Sequence, residues 1–151
     1  MTVPDAPPIR LHQDPALFRE AVTYTAAETG FAPRLIEKDY FCTVLLQHLA
    51  GAGCGLVFKG GTCLAKVHAG FYRLSEDLDF VIPTPVDASR AERSRRAAES
   101  KAAVAKIGGR LPDLRVITAL TGANDSTQYN GAIAYRSLLD GREETIKMEV
   151  G

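Results

Sequence analysis

The apolar positions of this chain recur first with the period of a helix and then with that of a strand. Met1 to Gln13, with Pro4, Pro7 and Pro8, reads as an irregular arm, and residues 14–151 as one domain. Asp14-Pro15 is an N-cap followed by proline at the first helical position, and Gly30 a C-cap, which predicts a helix over about 15–29. Pro33 opens a second helix that runs to about Ala50 and stops at Gly51-Ala52-Gly53. Leu35, Ile36, Tyr40, Phe41, Val44, Leu45, Leu46 and Leu49 make its later turns apolar nearly all round, so it should be deeply packed. Glu37, Lys38 and Asp39 read as its wet face. Beyond the breaker the texture changes. Leu56-Val57-Phe58 is a short β-prone run cut off by Gly60-Gly61, and Thr62 to about Ala69 can form a short helix. Asp77 to Ile82 alternates with period two and ends at Pro83 and Pro85. Asp87 can cap a long polar helix to about Ile107, stopped by Gly108-Gly109. Leu114 to Leu120 and Tyr129 to Leu138 are strand-like, Asp140-Gly141 is a hairpin turn, and Glu144 to Val150 alternates again.

Composition narrows the class. Hydrophobic residues make up 46% and charged residues 24% of 151, the balance of a globular protein. No apolar run reaches the length of a membrane span, and Met1 to Pro8 lacks the order of a secretory signal. Cys42, Cys54 and Cys63 have no C-x-x-C spacing, and His12, His48 and His68 lie far apart, so zinc and disulfides are unsupported and a reduced, cytoplasmic setting is expected. Lys+Arg and Asp+Glu both number 18, so no global field attracts nucleic acid. The basic residues after Asp87 (Arg90, Arg93, Arg95, Arg96, Lys101, Lys106) read first as a solvated helix and second as a local RNA contact.

Candidate chemistry lies in Phe58-Lys59-Gly60-Gly61-Thr62 and Arg73-Leu74-Ser75-Glu76-Asp77-Leu78-Asp79-Phe80. Gly60 and Gly61, between a strand and a helix, remove side chains so that a phosphate can approach the backbone, and Thr62 can add a hydroxyl donor. Lys59 can reach a phosphate; Arg73 and Ser75 can touch the nucleotide or pin the loop. Asp77 and Asp79, two apart on a strand, leave one face roughly 7 Å apart at Cα, while Leu78, Phe80 and Ile82 point inward. Such a pair beside a triphosphate suits magnesium, which takes hard oxygen ligands, and can hold two ions about 4 Å apart. Glu149, sharing a face with Thr145 and Lys147 while Ile146, Met148 and Val150 pack inward, offers a third carboxylate. Taken singly, a Gly-Gly pair is commonly a turn, D-x-D a solvated face or a glycosyltransferase metal motif, and a strand Glu surface. The ordered combination is far more restrictive.

That combination resembles the polymerase-beta-like nucleotidyltransferase superfamily, and within it the AbiEii/AbiGii-type toxins. The group's first motif is similar to G-S-x-x-L, a spacer and R-x-T-x-D-x-D. Here the residues are Gly60-Gly61-Thr62-Cys63-Leu64 and Arg73-Leu74-Ser75-Glu76-Asp77-Leu78-Asp79, with Gly61 for Ser, Ser75 for Thr and a longer spacer. Ile36-Glu37-Lys38-Asp39-Tyr40 looks like its N-terminal signature, and Ile146-Lys147-Met148-Glu149-Val150 like the strand of its third acid. The resemblance implies an α/β (α+β) core, a small mixed sheet with helices mainly on one side. It also implies magnesium on Asp77, Asp79 and Glu149, and a nucleoside triphosphate on Gly60, Gly61 and Thr62 with Lys59, Arg73 and Ser75 nearby. A nucleotidyl group would pass to an acceptor hydroxyl such as a tRNA end. The implied role is the toxin of a bacterial toxin–antitoxin or abortive-infection pair, with a cognate antitoxin. Transfer to a protein or small molecule, and a non-catalytic nucleotide-binding module, are the rival readings. Members usually continue into a helical C-terminal half that this chain is expected to lack. An apolar surface left along its last strand would then favour a homo-oligomer.

Overall fold

The computed structural model describes residues 7–63, 66, 74, 76–124 and 127–151, apart from the Thr62 side chain. A 3₁₀ turn, Leu11–Gln13, leads into α1 (Pro15–Thr29) and α2 (Pro33–Ala52). Asp14 caps α1 by accepting the Leu17 N–H, and Gly30 and Gly53 close the two helices at φ 76° and 60°. These are left-handed conformations in which a Cβ is penalised.

The remaining elements build one five-stranded sheet of order β1-β2-β5-β4-β3. Its strands are β1 (Val57–Lys59), β2 (Asp77–Val81), β3 (Leu114–Ala123), β4 (Gln128–Arg136) and β5 (Glu143–Val150). Only β2 and β5 run parallel; the other neighbours are antiparallel. The short helix α3 (Gly60–Cys63) follows β1 directly, and α4 (Arg90–Ala105) and α5 (Ile107–Arg110) precede β3.

Alternation decides the sheet's two faces. Leu78 and Phe80 on β2, and Ile146, Met148 and Val150 on β5, are at most 2% exposed and join α2 residues Phe41, Leu45 and Leu49 and α4 residues Ala97 and Val104 in one core. Each large side chain so buried contributes about 1.5–3 kcal/mol. Phe41 stacks on Tyr135 of β4 with centroids 4.3 Å apart. The opposite face carries the alternate residues, among them Asp77, Asp79, Lys147 and Glu149. A small mixed sheet with helices on one side is the architecture expected from the sequence.

Several local expectations need correction. Ser89, not Asp87, caps α4, its hydroxyl accepting the Glu92 N–H. Gly108 and Gly109 do not stop the helix but lie within α5; both keep negative φ, so they break nothing there. Glu37 and Lys38, 1% and 9% exposed, are not a wet face. Their positions on α2 turn toward the β4–β5 hairpin, where Glu37 Oε2 accepts the Leu138 N–H at 2.8 Å. The last strand exposes no apolar strip: β5 is interior to the sheet, and its open-face residues are Thr145, Lys147 and Glu149. No described helix is long and apolar enough to cross a membrane.

Candidate active site

On the open face, the cross-strand register places side chains in rows. Lys59 of β1 lies opposite Asp79 of β2, Asp79 opposite Glu149 of β5, and Glu149 opposite Asn130 of β4. One row along, Asp77 faces Lys147. Register partners on one face bring their Cβ atoms to about 4.5–5.5 Å. Two acids distant in sequence thus become neighbours because β2 and β5 pair in parallel, and Asp77 lies diagonal to Glu149 on the same face. Asp77 and Glu149 are exposed and Asp79 is half-buried.

The glycine turn meets this row from the β1 side. Gly60 takes φ 82°, and a Cβ there would overlap the Asp79 carboxylate. The position therefore excludes a side chain on two counts, conformation and space. Because α3 has only four residues, its macrodipole is small. What the turn offers an anion is backbone N–H groups without side-chain cover. Thr62 lies in α3 with its side chain outside the described residues, as are Arg73, Ser75 and His68 entirely. Lys59 extends toward the end of β5, its Nζ 3.5 Å from where a Cβ on Gly151 would sit.

The donor chemistry of Asp77, Asp79 and Glu149 fits magnesium: three hard oxygen donors on a solvent-accessible face, two of them in direct register. Among the described residues no three His, Cys, Asp or Glu side chains already close into a ligand cluster. Carboxylates brought to one point repel one another, so closing these three around a common centre would need a cation between them.

The Glu37–Tyr40 segment, treated as signature or wet face from sequence, ties α2 to three other parts of the fold. Glu37 holds the β4–β5 hairpin. Asp39 accepts an ion pair from Lys66 at 2.8 Å. The Tyr40 hydroxyl lies 2.7 Å from His12 Nδ1, whose Nε2 lies 3.0 Å from Asp113 Oδ2, pinning the N-terminal arm. Burial raises the Glu37 pKa above the usual carboxylate range, against the Leu138 N–H that lowers it. Burial also pushes the Cys42 thiol up to about 12, which suits packing rather than nucleophilic chemistry. Sequence reading missed these buried polar roles because polar side chains on a helix are ordinarily solvated.

The basic residues of α4 lie in the helical layer, away from the carboxylate face. Arg93 donates to the Ala88 carbonyl, Arg96 to the Pro83 carbonyl and Glu92, and the Lys101 ammonium sits 4.8 Å from the Tyr129 ring centroid. Arg93, Arg96 and Lys101 are thus engaged within the fold. A cavity of about 970 Å³ between the arm, α2, α4 and α5 contains none of the predicted site residues.

Comparison with known proteins agrees with this fold. Two crystal structures from Helicobacter pylori share the fold, each with TM-score 0.51: a candidate nucleotidyltransferase at 19% identity and the JHP933 protein at 20%. Each alignment covers 80% of this chain but only 46% and 45% of theirs, so the chain spans less than half the length of these structures. No curated protein matches. Residues 44–151 match the profile described as "Nucleotidyl transferase AbiEii toxin, Type IV TA system". That match takes in the glycine turn, both aspartates and Glu149, and the chain belongs to the AbiEii nucleotidyltransferase toxin family.

Proposed function

We propose that this chain carries the catalytic site of a magnesium-dependent nucleotidyltransferase that serves as the toxin of a bacterial toxin–antitoxin or abortive-infection pair. The observation that carries the reading is the register of Asp79 with Glu149, beside a glycine whose missing Cβ leaves the Asp79 carboxylate its place. Backbone N–H groups of the Gly60–Cys63 turn bind the triphosphate, with Thr62 and Lys59 adding donors and Arg73 and Ser75, shortly before β2 in the sequence, as further candidate nucleotide contacts. Asp77, Asp79 and Glu149 hold magnesium, which when bound neutralises charge on the transferring phosphoryl group. The acceptor hydroxyl oxygen forms a bond to the α-phosphorus and gives up its proton to water as the bond to the bridging oxygen breaks, and pyrophosphate leaves with that electron pair. The chain's contribution is placement: the turn fixes the phosphates, and the carboxylate row fixes where attack occurs.

The acceptor in this reading is RNA, a tRNA end, and the genetic partner a cognate antitoxin. The free thiols of Cys42, Cys54 and Cys63 suit a reducing cytoplasm. Incubation with labelled nucleoside triphosphates, total RNA and total protein tests the reading. Label on RNA supports it, and label on protein or a small molecule moves the acceptor class. Magnesium-dependent nucleotide binding with no transfer by any form of the protein would leave a binding module instead.

A further inference from the structure

Outside the carboxylate row, one pair of opposite charges is removed from water beside the glycine turn. Lys66, three positions beyond α3, donates from Nζ to Asp39 Oδ1 at 2.8 Å and to Thr43 Oγ1 at 2.9 Å. The side chains of Lys66 and Asp39 are only 8% and 16% exposed. Asp39 and Thr43 stand one turn apart on α2, so they present a two-oxygen seat on a single helix face. The seat is itself braced, because the Thr43 hydroxyl donates to the Asp39 carbonyl at 2.9 Å.

Desolvating both charges offsets much of their attraction, so such a pair is a poor device for stability alone. What it specifies is position. The turn it follows is held on its other side by β1 and by the close approach of Gly60 to Asp79. Its two glycines bring no side chains with which to anchor it. A turn of that kind is ordered only as far as its flanks are ordered, and Lys66, three residues downstream, is tied to helix α2.

We propose that Asp39 and Lys66 are positioning residues for the phosphate-binding turn. They lock the chain leaving α3 onto α2, so that the N–H groups of Gly60–Cys63 stand pre-aimed at a triphosphate against Asp79. Neither residue touches the nucleotide. The inference rests on the nucleotidyltransferase reading and adds a device for preorganising its substrate site, in which binding affinity depends on a contact in the helical layer.

The test compares wild type with Asp39→Asn/Lys66→Met, which replaces the pair by neutral side chains of similar size. Magnesium with ATP or GTP is titrated calorimetrically, amide exchange is followed at residues 60–63, and unfolding is monitored in parallel. Replacing both members of a buried pair removes the two opposite charges together, so the unfolding temperature should change little. Triphosphate affinity should nevertheless fall about tenfold or more, and exchange should accelerate at residues 60–63 in the nucleotide-free protein while α2 stays protected. Wild-type affinity and exchange in the folded double variant would overturn the proposal. So would exchange accelerated evenly through α2, which marks a merely structural role. If the double variant does not fold, Thr43→Val decides: it removes one Lys66 acceptor, and unchanged exchange at residues 60–63 counts against the proposal. Failure of wild type to bind any triphosphate would sink the nucleotidyltransferase reading instead, and the exchange comparison would still decide the positioning role.

Discussion

A Cβ on Gly60 would lie 3.0 Å from the Cβ of Asp79 and 3.1 Å from its Cγ, and would overlap the carboxylate oxygen. The glycine turn and the first acid row are therefore one unit. Any side chain at Gly60 must push the Asp79 side chain aside.

Gly60→Ala should accordingly lose both stability and function. An alanine at φ 82° is strained, and the overlap adds to it, for about 1–3 kcal/mol in all. Gly141→Ala is the control, since Gly141 has φ 77° with no atom near its missing Cβ. Denaturant unfolding and magnesium–triphosphate calorimetry on both variants check this. Gly60→Ala should bind at least tenfold more weakly than Gly141→Ala. Equal affinity would show that Asp79 placement is irrelevant to binding.

The paired aspartates give a second expectation. Asp77→Asn with Asp79→Asn keeps size and shape but removes two negative oxygen donors from the row. Triphosphate binding should depend on magnesium in wild type and be largely lost in the double variant. Affinity that is metal-independent and equal in both proteins would exclude a metal role for these residues.

The elements were legible in this sequence because period and punctuation agreed. Asp14-Pro15 and Gly30 delimit α1, and alternation in Asp77–Val81 and Glu143–Val150 assigns inward and outward residues correctly. Pairing was less so. That β2 lies between β1 and β5, parallel to the latter, depends on packing between residues far apart in the chain. Alternation put Asp79 and Glu149 on outward faces but could not put them in the same row. The Gly60 motif was visible as permissive backbone, whereas its contact with a specific carboxylate was not. Ser89 and Asp87 both qualify as helix caps by residue type, and only local geometry separates them. Glu37 and Lys38 were misjudged because burial of a charge is a tertiary outcome that local pattern does not encode.

Glu37 also yields a pH prediction. Burial raises its pKa in the folded chain, so folding favours the protonated acid. Its contribution is fully present below the unfolded value, about 4.3, and is lost as pH rises through the folded pKa. Glu144 has the opposite sign: the Arg34 guanidinium, bonded at 2.8 Å and 2.9 Å, lowers its pKa, so its contribution is lost as pH falls. In Glu37→Gln the first effect disappears. The stability of the variant relative to wild type, from urea unfolding between about pH 4 and pH 8, should therefore increase as pH rises. A difference that stays flat or declines would contradict a raised Glu37 pKa.

Glu149 separates binding from chemistry. It is exposed, so Glu149→Gln should alter stability by no more than about 0.5 kcal/mol, as is usual for surface changes. It sits on β5, across β2 from the turn and one strand farther than Asp79, so the phosphates can dock without it. As the proposed third magnesium ligand, its charge should matter most when the acceptor oxygen and the α-phosphorus share developing charge. Loss of one such preorganised group typically costs about 10²–10³-fold in rate. The expected result is triphosphate affinity within about threefold of wild type, with transfer to RNA reduced a hundredfold or more in a form of the protein active before mutation. Transfer that survives Glu149→Gln would remove this residue from the reaction and send the search for a third acid elsewhere. Lost affinity together with lost transfer would instead place Glu149 in ground-state nucleotide binding.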